Sequence, residues 1–305
     1  MSTARPLIGL FITHANELIG DDQSRLTAVA RALDDAGVGY LTVADHLALA
    51  PDLSAHDALG GGTLGYPMEE PYPEPLTTLA AIAAVTTRIR LMTGILVAPL
   101  RAPLLLAKTA STVAVLAGGR LDLGVGSGWH EAEFAALGVP IDEKVTRLDE
   151  GLAACRELWR GGPSSYHGST VTFDNLYLSP LPPGGDVPVW FAGRATPATL
   201  RRVVRTGAGW IPISALSVDD AREARAHLTR ICEEAGRDPA TVGIRSPLAV
   251  QTTDSGDIDW SAIHDHVSAL YEAGVDGVHA PLRLLAHSFD ELEAVLPQVV
   301  QLGQF

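Results

Sequence analysis

Short apolar runs alternate with amphipathic stretches along almost the whole chain of 305 residues. The apolar runs resemble buried strands, and the stretches between them have the helical period, so the pattern predicts strands and helices in alternation. The predicted strands span residues 6–12, 39–44, 89–97, 121–125, 187–192, 209–213, 242–250 and 275–280. The predicted helices lie near residues 21–36, 76–87, 103–117, 145–160, 196–206, 218–235, 259–273 and 288–300.

The eight successive strand–helix units indicate the fold class. Near-continuous apolar strands that alternate with helices are typical of a parallel sheet whose two faces are covered. Eight is also the number of strands that closes such a sheet into a barrel. The pattern therefore predicts an α/β protein with a single (β/α)8 TIM barrel domain over residues 1–305.

Two stretches depart from the strand–helix rhythm and are interpreted as insertions on the barrel. Residues 47–75 follow the second strand, are rich in Pro and Gly, and have no regular period. Loops of that length are usually functional or disordered, so we expect a lid-like insertion. Residues 166–180 begin with alternating apolar and polar positions, which predicts a hairpin insertion.

The composition excludes a disordered chain and argues against two classes of binding partner. Hydrophobic residues make up 47% and charged residues 19%, which is too apolar for a disordered chain. The net charge of −14 argues against binding to nucleic acids or anionic membranes, which requires a basic face. The chain has no signal-peptide pattern and no apolar run long enough to span a membrane, so a cytoplasmic location is expected.

The cysteines and histidines show no metal-ligand spacing. Cys155 and Cys232 lie far apart in the chain, and His264 and His266 would point to different sides of one helix. We therefore expect neither a disulfide framework nor a metal site.

The first candidate site residues follow the second predicted strand. Asp45 and His46 stand where this strand gives way to the long loop. Active sites of such barrels form at the carboxyl ends of the strands, and His is the side chain best suited to proton transfer near neutral pH. The alternative is a loop histidine without a role in chemistry.

A second candidate is the glycine-rich sequence at the end of the fourth predicted strand. It is not a dinucleotide fingerprint, because Trp129 occupies the position that would need Gly. It is not a nucleophile elbow either, because the neighbours of Ser127 at the two required positions are not Gly. What remains is a loop around Gly126 that a flat ligand could approach closely, or a tight turn with only a structural role.

The third candidate lies at the end of the fifth predicted strand. Thr196 is a good N-cap, and Pro197 is a good first residue for the helix that follows. The start of this helix could bind a phosphate, and Arg194 could add a charge-assisted hydrogen bond. The alternative is an ordinary capped helix with a solvated arginine.

Residues 74–140 closely resemble the bacterial luciferase-like flavin and deazaflavin oxidoreductases. The upstream sequence LTVADHLAL and the downstream sequence PVWFAGRATPATLRRVVRTGAGWIP fit the same family, so the resemblance covers most of residues 6–213. Three details are most similar to the branch that uses the 5-deazaflavin coenzyme F420: Asp45-His46, the Gly-x-Gly-x-Gly-Trp loop, and the Glu-Phe-x-x-Leu-Gly run at residues 133–138.

The resemblance implies roles for several residues. Asp45 and His46 would lie near the ring edge and the reacting carbon as catalytic residues. A strand bulge with a non-prolyl cis peptide would support the central ring of the cofactor at Gly94-Ile95. The remaining cofactor-binding residues would flank the ring or hold the phosphate: Gly126, Ser127, Gly193, Arg194 and Thr196.

Two departures from the family pattern bear on substrate and cofactor. The sugar-phosphate dehydrogenases of the family have Glu directly after the glycine-rich loop, where this chain has Trp129, so oxidation of glucose-6-phosphate is not expected. The usual Gly-Gly at the phosphate turn is Ala192-Gly193 here.

The resemblance implies a reaction class with two alternatives. We expect hydride transfer between coenzyme F420 and a small organic substrate. The first alternative is a monooxygenase that uses reduced FMN and oxygen, and the second is a barrel that binds a ligand without turnover. Because members of the family are often dimers, the resemblance also allows a homodimer. Separately, the aromatic residues Phe11, Tyr66, Tyr72 and Trp129 suggest an apolar or aromatic-lined substrate pocket, and the alternative for each is a role in packing alone.

Overall fold

The computed structural model describes residues 7–50 and 70–304, and eight of its strands pair in a closed parallel ring. The strands, numbered in chain order, are β1 (Leu7–Phe11), β2 (Tyr40–Val43), β3 (Arg90–Thr93), β4 (Leu96–Val97), β5 (Leu121–Gly126), β6 (Ser164–His167), β7 (Thr172–Leu176), β8 (Val189–Ala192), β9 (Gly209–Ile211), β10 (Gly243–Pro247) and β11 (Gly277–Pro281). Around the barrel the order is β3-β2-β1-β11-β10-β9-β8-β5, and β5 returns to pair with β3. The predicted (β/α)8 barrel is therefore confirmed.

The helices follow the barrel strands, as the periodicity predicts. In the described residues they are α1 (Asn16–Ile19), α2 (Leu26–Ala36), α3 (Pro75–Ala83), α4 (Pro103–Leu116), α5 (Glu131–Ala136), α6 (Lys144–Trp159), α7 (Pro197–Thr206), α8 (Val218–Glu234), α9 (Trp260–Glu272) and α10 (Phe289–Gln301). Apolar faces of the helices and the outward-facing side chains of the strands form the main hydrophobic cluster. No helix in these ranges is both long enough and apolar enough to cross a bilayer.

Alternate strand residues point into the barrel and form two layers of different character. The lower layer, at the amino ends of the strands, contains large side chains that contact one another: Tyr40, Arg90, Asp122, Trp190 and Arg245. The upper layer, at the carboxyl ends, contains small or rigid residues: Thr42, Gly94, Gly126, Ala192 and Pro247. The side chains inside the barrel are therefore large at its amino end and small or rigid at its mouth.

The lower layer is held together by a buried ion pair network between aromatic rings. The Asp122 carboxylate accepts hydrogen bonds from both Arg90 and Arg245. The Arg245 guanidinium carbon lies 4.0 Å from the centre of the Trp190 ring and 4.8 Å from that of Tyr40. Because Arg245 and Asp122 are almost fully buried, each charge depends on its partner.

The third predicted strand, residues 89–97, is interrupted near its end. It forms β3 and β4, and the peptide bond between Gly94 and Ile95 is cis. Both parts pair with β5, so the interruption lies at the mouth of the barrel.

The two insertions predicted from the sequence differ in how far the structure describes them. Strands β6 and β7 form an antiparallel hairpin that begins two residues before the predicted insertion at 166–180. Of the predicted lid-like insertion at 47–75, residues 51–69, which include Tyr66, lie outside the described residues.

Candidate active site

The loop after β2 places His46 at the mouth of the barrel and is hydrogen-bonded to the segment that follows β1. The Thr13 hydroxyl, which follows β1, accepts a hydrogen bond from the backbone N–H of Ala44. This bond joins the carboxyl ends of two adjacent strands directly before Asp45 and His46. The position of His46 is therefore determined by the barrel wall.

Glu133 orients the His46 imidazole. One carboxylate oxygen lies 3.0 Å from His46 Nδ1, and the other accepts hydrogen bonds from the backbone N–H groups of Leu47 and Ala48. Burial disfavours the charged carboxylate, but the contacts with His46 and the two backbone donors outweigh burial and lower the pKa of Glu133. The arrangement resembles the carboxylate–histidine pair of a catalytic triad, in which the carboxylate sets the orientation of the ring.

Asp45 lies beside His46 but makes different contacts. Its carboxylate accepts two hydrogen bonds from the Arg101 guanidinium, at 2.6 and 2.8 Å, and one from the backbone N–H of Val97 at 2.8 Å. Arg101 also donates to Glu74, which caps helix α3. Asp45 is almost fully buried, and these contacts hold its carboxylate in place; its catalytic role stays a prediction.

Aromatic rings surround the His46 imidazole. The ring centres of Tyr72 and Trp129 lie 5.1 and 5.3 Å from it, both in edge-to-face geometry. Tyr72 also contacts His14, at 4.5 Å between ring centres, and Phe11 lies 6.1 Å beyond His14. Three of the four aromatic residues suggested by the sequence therefore lie in one array with His46.

His14 occupies an unusual backbone conformation next to this array. Its φ is +63°, which is uncommon for a residue with a Cβ atom and occurs disproportionately at functional sites. Glu70 Oε1 lies 3.6 Å from His14 Nδ1. Burial lowers the pKa of His14 to about 4, and the nearby Arg283 and His46 act in the same direction, so the His14 imidazole is neutral at pH 7.

The cis peptide lies against β2 and β5. A Cβ atom at Gly94 would lie 2.7 Å from the Thr42 side chain, and one at Gly126 would lie 2.7 Å from Ile95 Cδ1. Glycine at both positions therefore allows close packing of the wall itself. The Thr42 hydroxyl beside Gly94 is buried and has no hydrogen-bond partner among residues 7–50 and 70–304. Because Asp45 binds Val97, the contacts connect Asp45-His46, Gly94-Ile95 and Gly126 in one region.

The predicted phosphate-binding residues form a separate group at the end of β8, the strand next to β5. The Thr196 hydroxyl accepts a hydrogen bond from the backbone N–H of Thr199 and so caps helix α7. Gly193 is hydrogen-bonded to β9, because its carbonyl oxygen accepts a hydrogen bond from Trp210 Nε1 at 2.8 Å. Arg194 and Thr196 are exposed, so the amino end of α7 faces solvent.

Sequence reasoning assigned no role to three residues of this region: Glu133, Arg101 and His14. His14 follows β1 as His46 follows β2, and this parallel placement was a usable signal. Glu133 gave a family signal as the first residue of the run at 133–138, but nothing in the sequence indicated its contact with His46, 87 residues earlier. Arg101 gave no signal, because it lies 56 residues after Asp45, the side chain that it holds. Within residues 7–50 and 70–304, no group of three or more His, Cys, Asp or Glu side chains is arranged to hold a metal ion.

Comparisons with known proteins agree with this architecture. An uncharacterized protein of Mycobacterium tuberculosis is 31% identical over 210 residues, which cover 68% of this chain and 72% of that protein. The structure is similar to the coenzyme F420-dependent tetrahydromethanopterin reductase of Methanopyrus kandleri (TM-score 0.72, 17% identity, 99% of this chain and 100% of that one). It is also similar to the oxygenating constituent of 3,6-diketocamphane monooxygenase from Pseudomonas putida, solved with FMN (TM-score 0.70, 16% identity, 97% and 98%).

The family assignment follows from a match that covers almost the whole barrel. The family model for luciferase-like monooxygenases matches residues 8–292, which run from the first barrel strand into the last helix. This chain therefore belongs to the luciferase-like monooxygenase family.

Proposed function

We propose that this protein is an oxidoreductase that transfers a hydride between coenzyme F420 and a small organic substrate at the mouth of the barrel. The observation that carries the proposal is the His46–Glu133 pair, whose Nδ1 and carboxylate oxygen lie 3.0 Å apart. Hydride transfer to or from an organic substrate usually needs a matching proton transfer. An imidazole held by a buried carboxylate is suited to that task.

The residues at the mouth fit a long, flat cofactor with a phosphate. The upper layer contains only small or rigid side chains, and the cofactor ring would lie above it, beside Gly94-Ile95. Gly126 and Ser127 would lie along the ring, while Gly193, Arg194 and Thr196 would hold the phosphate at the start of α7. When bound, the deazaflavin would supply the carbon centre that gives or accepts the hydride.

The protein's own side chains would handle the proton and exclude water. Because Glu133 engages His46 Nδ1, Nε2 is the nitrogen that would exchange a proton with the substrate. The rings of Tyr72 and Trp129 both contact His46 in edge-to-face geometry and would limit access of water. Asp45 accepts hydrogen bonds from Arg101 and Val97, and these bonds would fix the position of the neighbouring His46 relative to β4.

The main competing function keeps the same barrel but uses FMN. The similar structure from Pseudomonas putida was solved with FMN, so the fold accommodates that cofactor in a relative. Since a deazaflavin does not normally activate oxygen, the identity of the cofactor decides between hydride transfer and monooxygenation. The sequence details that resemble the F420 branch favour the deazaflavin.

Titration of the purified protein with F420 and with FMN tests the proposal directly. We expect micromolar binding of F420, detected as a change in its fluorescence, and weaker binding of FMN. Micromolar binding of FMN alone would overturn the choice of cofactor. Binding of either cofactor without hydride transfer to any acceptor would favour a barrel that only binds ligands.

The role of His46 is tested by replacing it with alanine. Because the imidazole is proposed to move a proton and not to hold the cofactor, His46→Ala should lower turnover by about 10²–10⁴-fold. The dissociation constant for F420 should change much less. Equal losses of turnover and cofactor affinity would remove His46 from the chemistry.

A further inference from the structure

His279 lies on the inner side of β11, between the lower and upper layers of the barrel. Its neighbours across the sheet are Gly9 of β1 and Pro247 of β10. Below it, Tyr40, Arg245 and Asp122 are almost fully buried and close the barrel. His279 as a whole residue is half-buried. Because the barrel is closed below, a ligand could reach it only from the mouth.

Tyr40 determines which nitrogen of His279 carries the proton. The Tyr40 hydroxyl lies 3.2 Å from His279 Nδ1 and is the one hydrogen-bond partner of this side chain within the described ranges. A phenol is the better donor and an imidazole nitrogen the better acceptor, so the Tyr40 O–H donates to Nδ1. In a neutral imidazole the proton must then reside on Nε2.

The charged groups around His279 favour this neutral form. Burial lowers the pKa of His279 to about 4, and the positive charge of Arg245 on β10 acts in the same direction. Burial also raises the pKa of the Tyr40 phenol, which therefore keeps its proton. Asp122 on β5 is bound to Arg245 and Arg90, and these contacts offset its negative charge. His279 thus remains a neutral donor over the pH range in which enzymes usually work.

We propose that His279 Nε2–H is a second ligand-binding group, which donates a hydrogen bond from the base of the pocket to an uncharged carbonyl oxygen. This inference rests on the proposed function, since it assumes that the reactants bind at the barrel mouth. The same chemistry could come from two sources, a carbonyl of the cofactor ring or a carbonyl of the substrate. In the proposed function the ring lies along Gly126 and Ser127 at the end of β5, and β11 lies across the barrel from β5, so a substrate over the ring would face His279.

His46 and His279 are the same side chain with different anchors. Glu133 holds Nδ1 of His46 with a carboxylate, which suits the imidazole to carry a proton in the reaction. Tyr40 holds Nδ1 of His279 with a neutral hydroxyl beside a buried cation, which makes the imidazole a fixed donor. The first histidine would move a proton, and the second would orient an oxygen.

The tautomer is tested first, by nitrogen NMR of protein labelled with ¹⁵N-histidine. The signals that disappear in His279→Leu identify the residue. We expect a neutral ring with the proton on Nε2 from pH 5 to pH 8, and loss of this preference in Tyr40→Phe. A proton on Nδ1, or a ring that becomes charged near pH 6, would overturn the proposal.

The ligand is tested next with two probes added in turn. Oxidised F420 (or FMN, if only FMN binds) is added first, and 2-methylpropanamide, whose carbonyl resists hydride transfer, is added second. A shift of the Nε2 signal with the first probe assigns the carbonyl to the cofactor, and a shift only with the second assigns it to the substrate. The dissociation constant of that probe should rise about tenfold in His279→Leu. His279→Gln keeps a hydrogen-bond donor, so this variant should recover part of the lost affinity.

The negative outcomes separate the two proposals. If wild-type protein binds neither F420 nor FMN, the proposed function fails, and 2-methylpropanamide added to the cofactor-free protein still tests His279. If a cofactor binds normally but neither probe shifts the Nε2 signal, or if His279→Leu binds both probes as wild type does, the inference about His279 is wrong.

Discussion

The two ends of the barrel interior differ in how their side chains use space and charge. In the lower layer, Arg245 lies between two aromatic rings and shares Asp122 with Arg90, so large side chains fill the volume and satisfy one another. In the upper layer, Thr42, Gly94, Gly126 and Ala192 contribute small side chains or none. The end with large, ion-paired side chains stabilises the barrel, and the proposed chemistry lies at the other end of the same eight strands, where barrels of this kind have their active sites.

The largest expected effect comes from breaking the lower layer. Asp122→Ala leaves the buried Arg245 guanidinium without its counter-charge, so the free energy of unfolding should fall by about 3–5 kcal/mol. Chemical denaturation measures this loss. Asp219→Ala, which removes the exposed partner of Arg222, is the control and should cost less than about 1 kcal/mol. Equal losses in the two variants would show that the lower layer is not a special source of stability.

Removing the carboxylate that holds His46, at the mouth of the barrel, should lower the rate of turnover and not the stability of the fold. Glu133→Gln keeps the size of the side chain but removes the carboxylate that holds His46, so turnover should fall by about 10²-fold. The affinity for the cofactor should be nearly unchanged. Glu131→Gln, on the exposed side of the same short helix, is the matched control and should turn over like wild type. Normal turnover in Glu133→Gln would remove this carboxylate from the mechanism.

The free energy of unfolding should also depend on pH, because folding lowers the pKa of His279. The pKa of His279 is about 4 in the folded protein and near 6.5 when unfolded, so the unfolded state binds more protons between these values. Stability should therefore fall as the pH drops from 6.5 towards 4, by at most ~3 kcal/mol for this residue. His279→Gln should show a shallower decline in denaturant titrations at each pH, while His14 continues to contribute a loss of the same sign. A decline identical to wild type would contradict the assigned pKa.

The smallest effect tests the amino end of α7. Thr196→Ala removes the N-cap and should cost about 1 kcal/mol of stability, measured by thermal unfolding. Ser217→Ala removes the equivalent cap of α8 and should cost about the same. If Thr196 also contributes to the phosphate site, only Thr196→Ala should weaken cofactor binding. Unchanged cofactor affinity in both variants would leave Thr196 with the role of a cap alone.

The sequence predicted more of the scaffold than of the site. The eight strand–helix units could be predicted because both elements have a local pattern of apolar residues. A helix buried on one side has apolar residues at the helical period, and a strand buried on both faces is a short continuous apolar run. The cap at Thr196 was readable for the same reason, since an N-cap depends on residues only three positions away. The place of His46 also followed from its position after a strand.

The partners of those residues were not readable in the same way. Glu133 reaches His46 across 87 residues, Arg101 reaches Asp45 across 56, and Tyr40 reaches His279 across 239. No local pattern records such distances, because they depend on how strands come together around the barrel. The split of residues 89–97 into β3 and β4 matches the bulge that the family resemblance implied, but strand periodicity alone did not indicate it.

By itself, the sequence determined the alternating elements, the barrel that eight of them close, and the positions after strands where chemistry is expected. Only the tertiary structure decided that Asp45 holds Arg101, that Glu133 orients His46, and that Tyr40 turns His279 into a donor. The physical reason is that secondary structure follows from local burial and hydrogen bonding. The chemical character of a carboxylate or an imidazole depends on the neighbours that folding brings to it.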